Sequence, residues 1–571
     1  MSSRSEQPPH AMIPLLHDNA PRVSRPLSGL AWRLIAALRW TAAVACGIHL
    51  PDVRGQALFP PAEPDPLEIL ARLKRGEQVA RVLCQSCHLY PEPDLLDRAS
   101  WANGPLRKMA PFLGVARFNL ENRPDGQILR DAHIFPESPI LPIEDWKAVW
   151  DYYLASAPDQ PLPQGPRDPI APTTGRFKAE LGIDPAVAPA ITLVHIEPET
   201  RTVLVGDARN RALHRLDVRG QRVGGVRVDS APASYVKDGD AAYVTLIGSV
   251  YPSDEKTGRL VRIRETSGGV MSVEEVLSGL KRPVDAVPVD LDGDGRRDLA
   301  VAQFGNFLGR QVWFANEGGG RYREELLWEA PGGTRVVVTD ANRDGRPDLL
   351  YLMAQGREGV YLFENQGGGE FTPIPLIQFP SIYGCTSLEL VDFNGDGHPD
   401  LLTVNGDNGE YPSTFKRYHG LRIHLNDGHF RFKEAWFFPI NGAFKAVARD
   451  FDGDGDPDLA AISFFADYDR SPEESFVYLE NQGGLKFVPS SVPEALAGRW
   501  LTMDAGDLDG DGLPEIVLGS FLEGPRATPV PPALVSRWST GGVSTLILRN
   551  QHPNPSRNPN RNAAGPAPSK P

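Results

Sequence analysis

The sequence predicts a multidomain chain: a small all-α domain, then an all-β array whose seven units suit a closed propeller. Three observations predict this. A C-x-x-C-H motif, Cys84-Gln85-Ser86-Cys87-His88, lies between two stretches with helical apolar spacing. An aspartate loop recurs five times further on, with starts 50, 52, 58 and 57 residues apart. Each loop runs directly into a short apolar run of β type, and that period with several strands per unit marks propeller blades or a β array.

Five segments follow from composition: a leader at 1–57, a helical domain at 58–160, a linker at 161–175, the β array at 176–550 and a tail at 551–571. The chain has 571 residues, 41% of them hydrophobic, enough for more than one core. Its net charge of −14 excludes nucleic acid as an expected partner. In the leader, Arg22, Arg25 and Arg33 precede an apolar stretch from Leu34 to Leu50, interrupted by Arg39, and small residues follow. This is an imperfect export signal. It also admits two forms of membrane attachment: lipidation at Cys46, after Ala43-Val44-Ala45, or an uncleaved N-terminal anchor. After the leader there is no run of about 18 apolar residues that would span a bilayer.

In the helical domain, Pro66 to Val82 reads as a helix, with Leu67, Ile69, Leu70, Leu73, Val79 and Val82 apolar. It leads into the motif. Two thiols three residues apart on one turn can form thioethers to both vinyl groups of a single porphyrin, and the adjacent histidine then ligates the iron. Cys84 and Cys87 are therefore candidate attachment residues for one covalent haem c, with His88 as proximal ligand. Zinc would need more ligands, and Cys46 and Cys385 lie far away in sequence. Thiol exchange would need a βαβ setting. Ile143 to Leu154 reads as the last helix of the domain. Cys385 reads as a small buried residue.

With its first helix entering CxxCH and a last helix expected to cross it, the region resembles a small cytochrome c domain. Bacterial cytochromes fused to repeats of the kind below carry W-x(n)-L-x-x-M downstream of CHxxPxP. Here His88-Leu-Tyr-Pro91-Glu-Pro93 and Trp101 to Leu106-Arg-Lys-Met109 are similar. The resemblance implies Met109 as the distal ligand, with His133 or an open site as alternatives. A thioether ligand would raise the potential relative to bis-histidine.

The linker is proline-rich and should be extended and stiff. The loops of the array are Asp290-Leu-Asp292-Gly-Asp294-Gly-Arg-Arg-Asp298, Asp340-Ala-Asn342-Arg-Asp344-Gly-Arg-Pro-Asp348, Asp392-Phe-Asn394-Gly-Asp396-Gly-His-Pro-Asp400, Asp450-Phe-Asp452-Gly-Asp454-Gly-Asp-Pro-Asp458 and Asp507-Leu-Asp509-Gly-Asp511-Gly-Leu-Pro-Glu515. Two degenerate units stand upstream, at Asp238-Gly239-Asp240 and at His195-Ile-Glu197-Pro-Glu199. Downstream of the loops, Asn316, Asn365, Asn426 and Asn481 precede glycine turns that suit hairpins. Calcium takes six to eight oxygens at about 2.3–2.6 Å. Positions 1, 3, 5 and 9 of the five loops hold 18 acidic residues, and position 6 is always glycine. Such clusters repel unless a cation sits among them. About five Ca2+ ions are expected there, in a structural role, and none at the two degenerate units. No EF hand is implied, because the closing glutamate at position 12 is absent.

This pattern, D-x-[DN]-x-D-G-x-x-[DE]-[LI], resembles the FG-GAP or VCBS repeats of integrin alpha-subunit propellers and many bacterial secreted proteins. The resemblance covers about 190–550 and implies a seven-bladed propeller with calcium in its loops. Together the features describe an exported protein, periplasmic or at the cell surface. It would transfer electrons through its haem to or from a redox partner protein or small donor, with the propeller as a docking platform. A haem-containing dehydrogenase with its substrate on the propeller, and a surface adhesion protein, are the alternatives. The chain shows no Ser-His-Asp order, P-loop or dinucleotide fingerprint, so a self-contained enzyme is less favoured.

Overall fold

Short β-type runs separated by Asp/Gly turns pair into seven four-stranded antiparallel sheets. The computed structural model describes residues 65–182, 188–265, 270–409, 414–524 and 528–551. The expected leader with Cys46, and the tail from 552 onward, lie outside them. Blades 1 to 6 occupy 191–227, 232–280, 283–328, 333–378, 385–439 and 443–490. Each is built from four consecutive strands.

Blade 7 is assembled from both ends of the array. Its first three strands are Trp500–Gly506, Glu515–Ser520 and Thr545–Asn550. The fourth, β1 (Phe177–Leu181), comes from the start of the array and pairs with the third from Phe177↔Asn550 to Leu181↔Leu546. Nothing repetitive in the sequence marked β1. It closes the ring by joining the start of the array to its last blade as that blade's outer strand. A short helix, Pro532–Gly541, interrupts the last blade between its second and third strands. The sequence reading had only β structure there.

First strands of neighbouring blades touch all round the ring, including the first of blade 1 against the first of blade 7, so they are the inner strands. Each carries a register slip near its start, at 191/193, 232/234, 283/285, 333/335, 385/387, 443/445 and 500/502. A bulge at the same place in every blade adds the local twist that the ring needs.

Antiparallel order puts the turns between first and second strands on one face, and those between second and third strands on the other. The helical region sits on the second face. Its α1 (Pro66–Gln85) is capped by Asp65, whose carboxylate accepts Leu67 N–H at 2.9 Å. The helix extends through the first cysteine. Leu67, Leu70 and Val82, expected on an apolar face, are exposed; Gly76 and Ala80 are buried instead. The reason is a close crossing with α2 (Ile143–Ser156): a Cβ on Gly76 would lie 2.0 Å from Ala148 O. Arg75 pairs with Asp145 at 2.9 Å across the crossing.

The helical region is tied to the propeller. Phe112, Phe118 and Phe135 gather around Phe307 of blade 3 at 5.6–5.8 Å. Asp125 accepts the N–H of Asp254 in blade 2 at 3.0 Å. The linker is extended, as expected, but it lies along the propeller rather than free. Arg167 pairs with Glu474 at 2.6 Å, and Ala171 bridges to Ser490 in blade 6.

Candidate functional site

The C-x-x-C-H motif occupies the end of α1. Cys87 N–H and His88 N–H both point back to Cys84 O, at 3.4 and 3.3 Å, which brings the two thiols and the imidazole onto one turn. Both thiols are free; Cys84 is half-buried and Cys87 exposed. Burial pushes the Cys84 thiol up to about 11. His88 is held below its ordinary value by burial, so its ring is neutral. Its Nδ1 lies 2.8 Å from Leu89 O. A carbonyl can only accept, so Nδ1 carries the proton and Nε2 keeps its lone pair for a metal.

Cys84 belongs to an apolar cluster with Tyr90, Leu96, Trp101, Leu106, Val149 and Tyr153. Two aromatic donors shape the segment after the motif: Tyr153 Oη donates to Pro91 O at 2.9 Å and Trp101 Nε1 to Pro93 O at 2.8 Å. Met109 ends a short helix (Pro105–Met109), half-buried, and is not a member of the cluster, although its neighbour Leu106 is. His133 is exposed in a left-handed conformation, φ 50°. Cys385 is buried, and its Sγ accepts from Asn405 Nδ2 at 3.2 Å.

The five aspartate loops are the turns between first and second strands of blades 3 to 7. The two degenerate units form the same turns in blades 1 and 2. In three loops the acids at positions 1, 3 and 5 converge: Asp290, Asp292 and Asp294; Asp450, Asp452 and Asp454; Asp507, Asp509 and Asp511. Each group offers carboxylate oxygens within 4.8 Å of one another. In the other two, Asn342 and Asn394 stand at position 3 and donate to Asp344 and Asp396, both at 2.9 Å. Position 1 organises each loop, as where Asp450 accepts Gly453 N–H and Gly455 N–H at 2.7 and 3.0 Å.

Position 9 also serves the backbone of its own blade. Asp298, Asp348, Asp400, Asp458 and Glu515 are all fully buried where the second strand begins. Each accepts the N–H of position 2 of its own loop, for example Leu291 at 2.9 Å and Phe393 at 2.9 Å. The four aspartates also accept the N–H of an asparagine on the third strand: Asn316, Asn365, Asn426 and Asn481, at 2.7–2.8 Å. Those asparagines, and Asn550 in blade 7, donate through Nδ2 to the carbonyl at position 8. Each loop is thus clamped to its blade by a carboxylate–asparagine pair. The asparagines read from sequence as turn residues; the clamp they make was not legible.

The charge is strained most in blade 6. Burial and repulsion from Asp454 push Asp452 and Asp456 up to about 6, and burial pushes Asp458 up to about 7. Burial likewise pushes Glu515 up to about 7. Carboxylates gathered this closely favour a proton, and a divalent cation is the alternative that relieves them.

Residues 290–351, 340–403 and 450–518 match the FG-GAP-like repeat, and each match spans two successive aspartate loops. Among solved structures, the chain is similar to BBS1N from its complex with ARL6DN (11% identity, 66% of this chain and 98% of that one, TM-score 0.39). It is similar to the Pan2 WD40 domain of Neurospora crassa (8%, 67% and 97%, TM-score 0.39). It is also similar to regucalcin, a calcium-binding protein of Agrobacterium tumefaciens (10%, 67% and 97%, TM-score 0.34). With its seven sheets and the three repeat matches, the array is a seven-bladed propeller carrying FG-GAP-like repeats.

Proposed function

We propose that the chain is an exported electron-transfer protein: one haem c on the helical region, and a calcium-stabilised propeller as docking platform for a partner. The observation that carries this reading is the turn at 84–88. It holds two free thiols and a neutral imidazole whose Nδ1 is already engaged, leaving Nε2 open. The close helix crossing at Gly76 supports it, because it is the packing expected of a cytochrome c-like domain. Cys84 and Cys87 would hold the porphyrin and His88 the iron, with Met109 as the proposed distal ligand. Bound there, the haem supplies a reversible one-electron centre. The chain's own residues surround that turn with apolar side chains and fix the imidazole.

The converging acids at positions 1, 3 and 5 support calcium in blades 3, 6 and 7, and the same loop pattern extends the reading to blades 4 and 5. Asp290, Asp340, Asp392, Asp450 and Asp507 would begin each site. Covalent haem attachment takes place outside the cytoplasm, which supports the periplasm or cell surface as the location. No described helix is long and apolar enough to cross a membrane.

The test is an intact mass and an absorption spectrum, oxidised and reduced, of the chain expressed with a cytochrome c maturation system. The expected result is the polypeptide plus one haem, with Soret and α bands. A colourless product of bare polypeptide mass overturns the reading.

A further inference from the structure

The apolar cluster that contains Cys84 does not end with the helical region. Its buried members include Ile382 and Tyr418, and Tyr383 packs against it, all from the connections around blade 5. The segment that follows the motif is gripped by the same part of the propeller. Arg417 Nη2 donates to Asp94 Oδ2 at 2.7 Å, and Thr414 Oγ1 to Asp97 Oδ2 at 3.2 Å. Asp97 caps the short helix that carries Trp101.

Behind Tyr418 lies an ordered backing. The Tyr383 and Tyr418 rings stack at 4.2 Å and 11°. Arg422, its side chain only 6% exposed, sits beneath them. Its Nη2 donates to Tyr418 O at 2.8 Å, Nη1 to Asn405 Oδ1 at 2.7 Å and Nε to Glu434 Oε2 at 3.1 Å. Its guanidinium lies 5.5 Å from the Tyr383 ring and 4.2 Å from that of Phe437. One cation therefore holds both the backbone and the ring that face the cluster.

We propose that the propeller completes the haem pocket: residues 414–418 and Tyr383 form one wall of it, and Arg422 is the positioning residue that holds that wall. The proposal rests on the haem reading above. A porphyrin is a large apolar disc, and one attached at Cys84 must be bordered by the side chains clustered with Cys84. Two of the buried ones belong to the propeller. A buried guanidinium behind that wall would also disfavour the more positive, oxidised state of a haem held there, to the extent that its charge outweighs that of Glu434. The propeller is then part of the redox centre as well as a platform.

The experiment uses the full chain carrying its haem. Reduction potential and visible spectrum are compared among wild type, Tyr418→Ala, Arg422→Met and the outer-strand control Leu326→Ser. Arg422→Met lowers the potential, Tyr418→Ala shifts the Soret band, and Leu326→Ser does neither. Hydrogen exchange gives a second readout that leaves the propeller side of the cluster unsubstituted. Peptides covering 414–422 exchange more slowly in the haem-loaded chain than in the haem-free Cys84→Ala/Cys87→Ala chain. Equal exchange, or potentials and spectra all matching wild type with haem attached, overturns the proposal. A wild-type chain without covalent haem removes the haem reading itself, which is a separate result.

Discussion

The two faces of the propeller use carboxylates in opposite ways. On the face with the turns between first and second strands, acids come in groups: three converge in the loops of blades 3, 6 and 7. On the helical-region face, three buried ones are each held by backbone or arginine donors. Asp254 accepts the N–H groups of Asn306, Phe307 and Leu308 at 2.8–2.9 Å. Glu358 accepts those of Gly384 and Cys385 at 2.7 and 3.2 Å, and Glu474 pairs with Arg167. A lone buried carboxylate is a staple that the protein satisfies by itself. A group of them gathers negative charge that a cation would relieve. Blades 1 and 2 carry the point further. Their turns have the same place in the sheets, but there Glu197 meets Arg215 at 3.4 Å and Glu199 meets Lys237 at 3.4 Å. The same turn therefore forms there without an acid cluster.

The comparison breaks most visibly if calcium is withdrawn. Ligand held at a hundredfold excess over its dissociation constant stabilises the folded state by about 2.7 kcal/mol per site. With five loops, exchanging CaCl2 for EGTA should lower the melting temperature by far more than any single substitution. Identical melting curves in the two buffers would mean that the clusters need no cation.

A substitution pair sharpens the same contrast inside one loop. Asp458 accepts Asn481 N–H at 2.7 Å, Phe451 N–H at 3.2 Å and the Tyr478 hydroxyl at 2.9 Å. Asp458→Ala orphans these donors in a fully buried place and should cost about 3 kcal/mol, with or without calcium. Asp454, in the same loop, is exposed and belongs to the converging group. Asp454→Ala should weaken the chain only when calcium is present. Equal calcium dependence of the two losses, read from melting curves, would erase the division between clamp and ligand.

The sequence made one of these faces legible and left the other dark, for a physical reason. An aspartate loop has its acids within nine residues, so its composition alone exposes it, and five copies in register with two degenerate units upstream revealed the blade count as well. The C-x-x-C-H turn is equally local. The staples and the closing strand join residues far apart in the chain: Asp254 with Asp125, Arg167 with Glu474, Phe177 with Asn550. No local pattern marks them. The packing of α1 was half legible. Apolar spacing identified the helix, but the face that meets α2 uses Gly76 and Ala80, which hydrophobicity does not single out. The propeller's share in the cluster around Cys84 was invisible, because Tyr418 stands in an irregular connection without a motif.

The smallest effect concerns the quiet face, measured in excess calcium so that the loops stay saturated. Burial pushes Glu358 up to about 8, against the lowering pull of the Cys385 and Gly384 N–H groups, the Cys385 thiol and the charge of Lys416. The unfolded chain releases this proton near the ordinary glutamate value of about 4.3. Between that value and 8 the folded state therefore holds a proton that the unfolded state has lost, and stability falls as pH rises through this window. Glu358→Gln keeps an oxygen for Gly384 N–H and Cys385 N–H but cannot titrate. Its melting temperature should decline less from pH 5 to 8 than that of wild type, by a few degrees. If the two curves run parallel, Glu358 is charged in the fold, and the staples on this face differ from the clusters opposite in number but not in how they manage their charge.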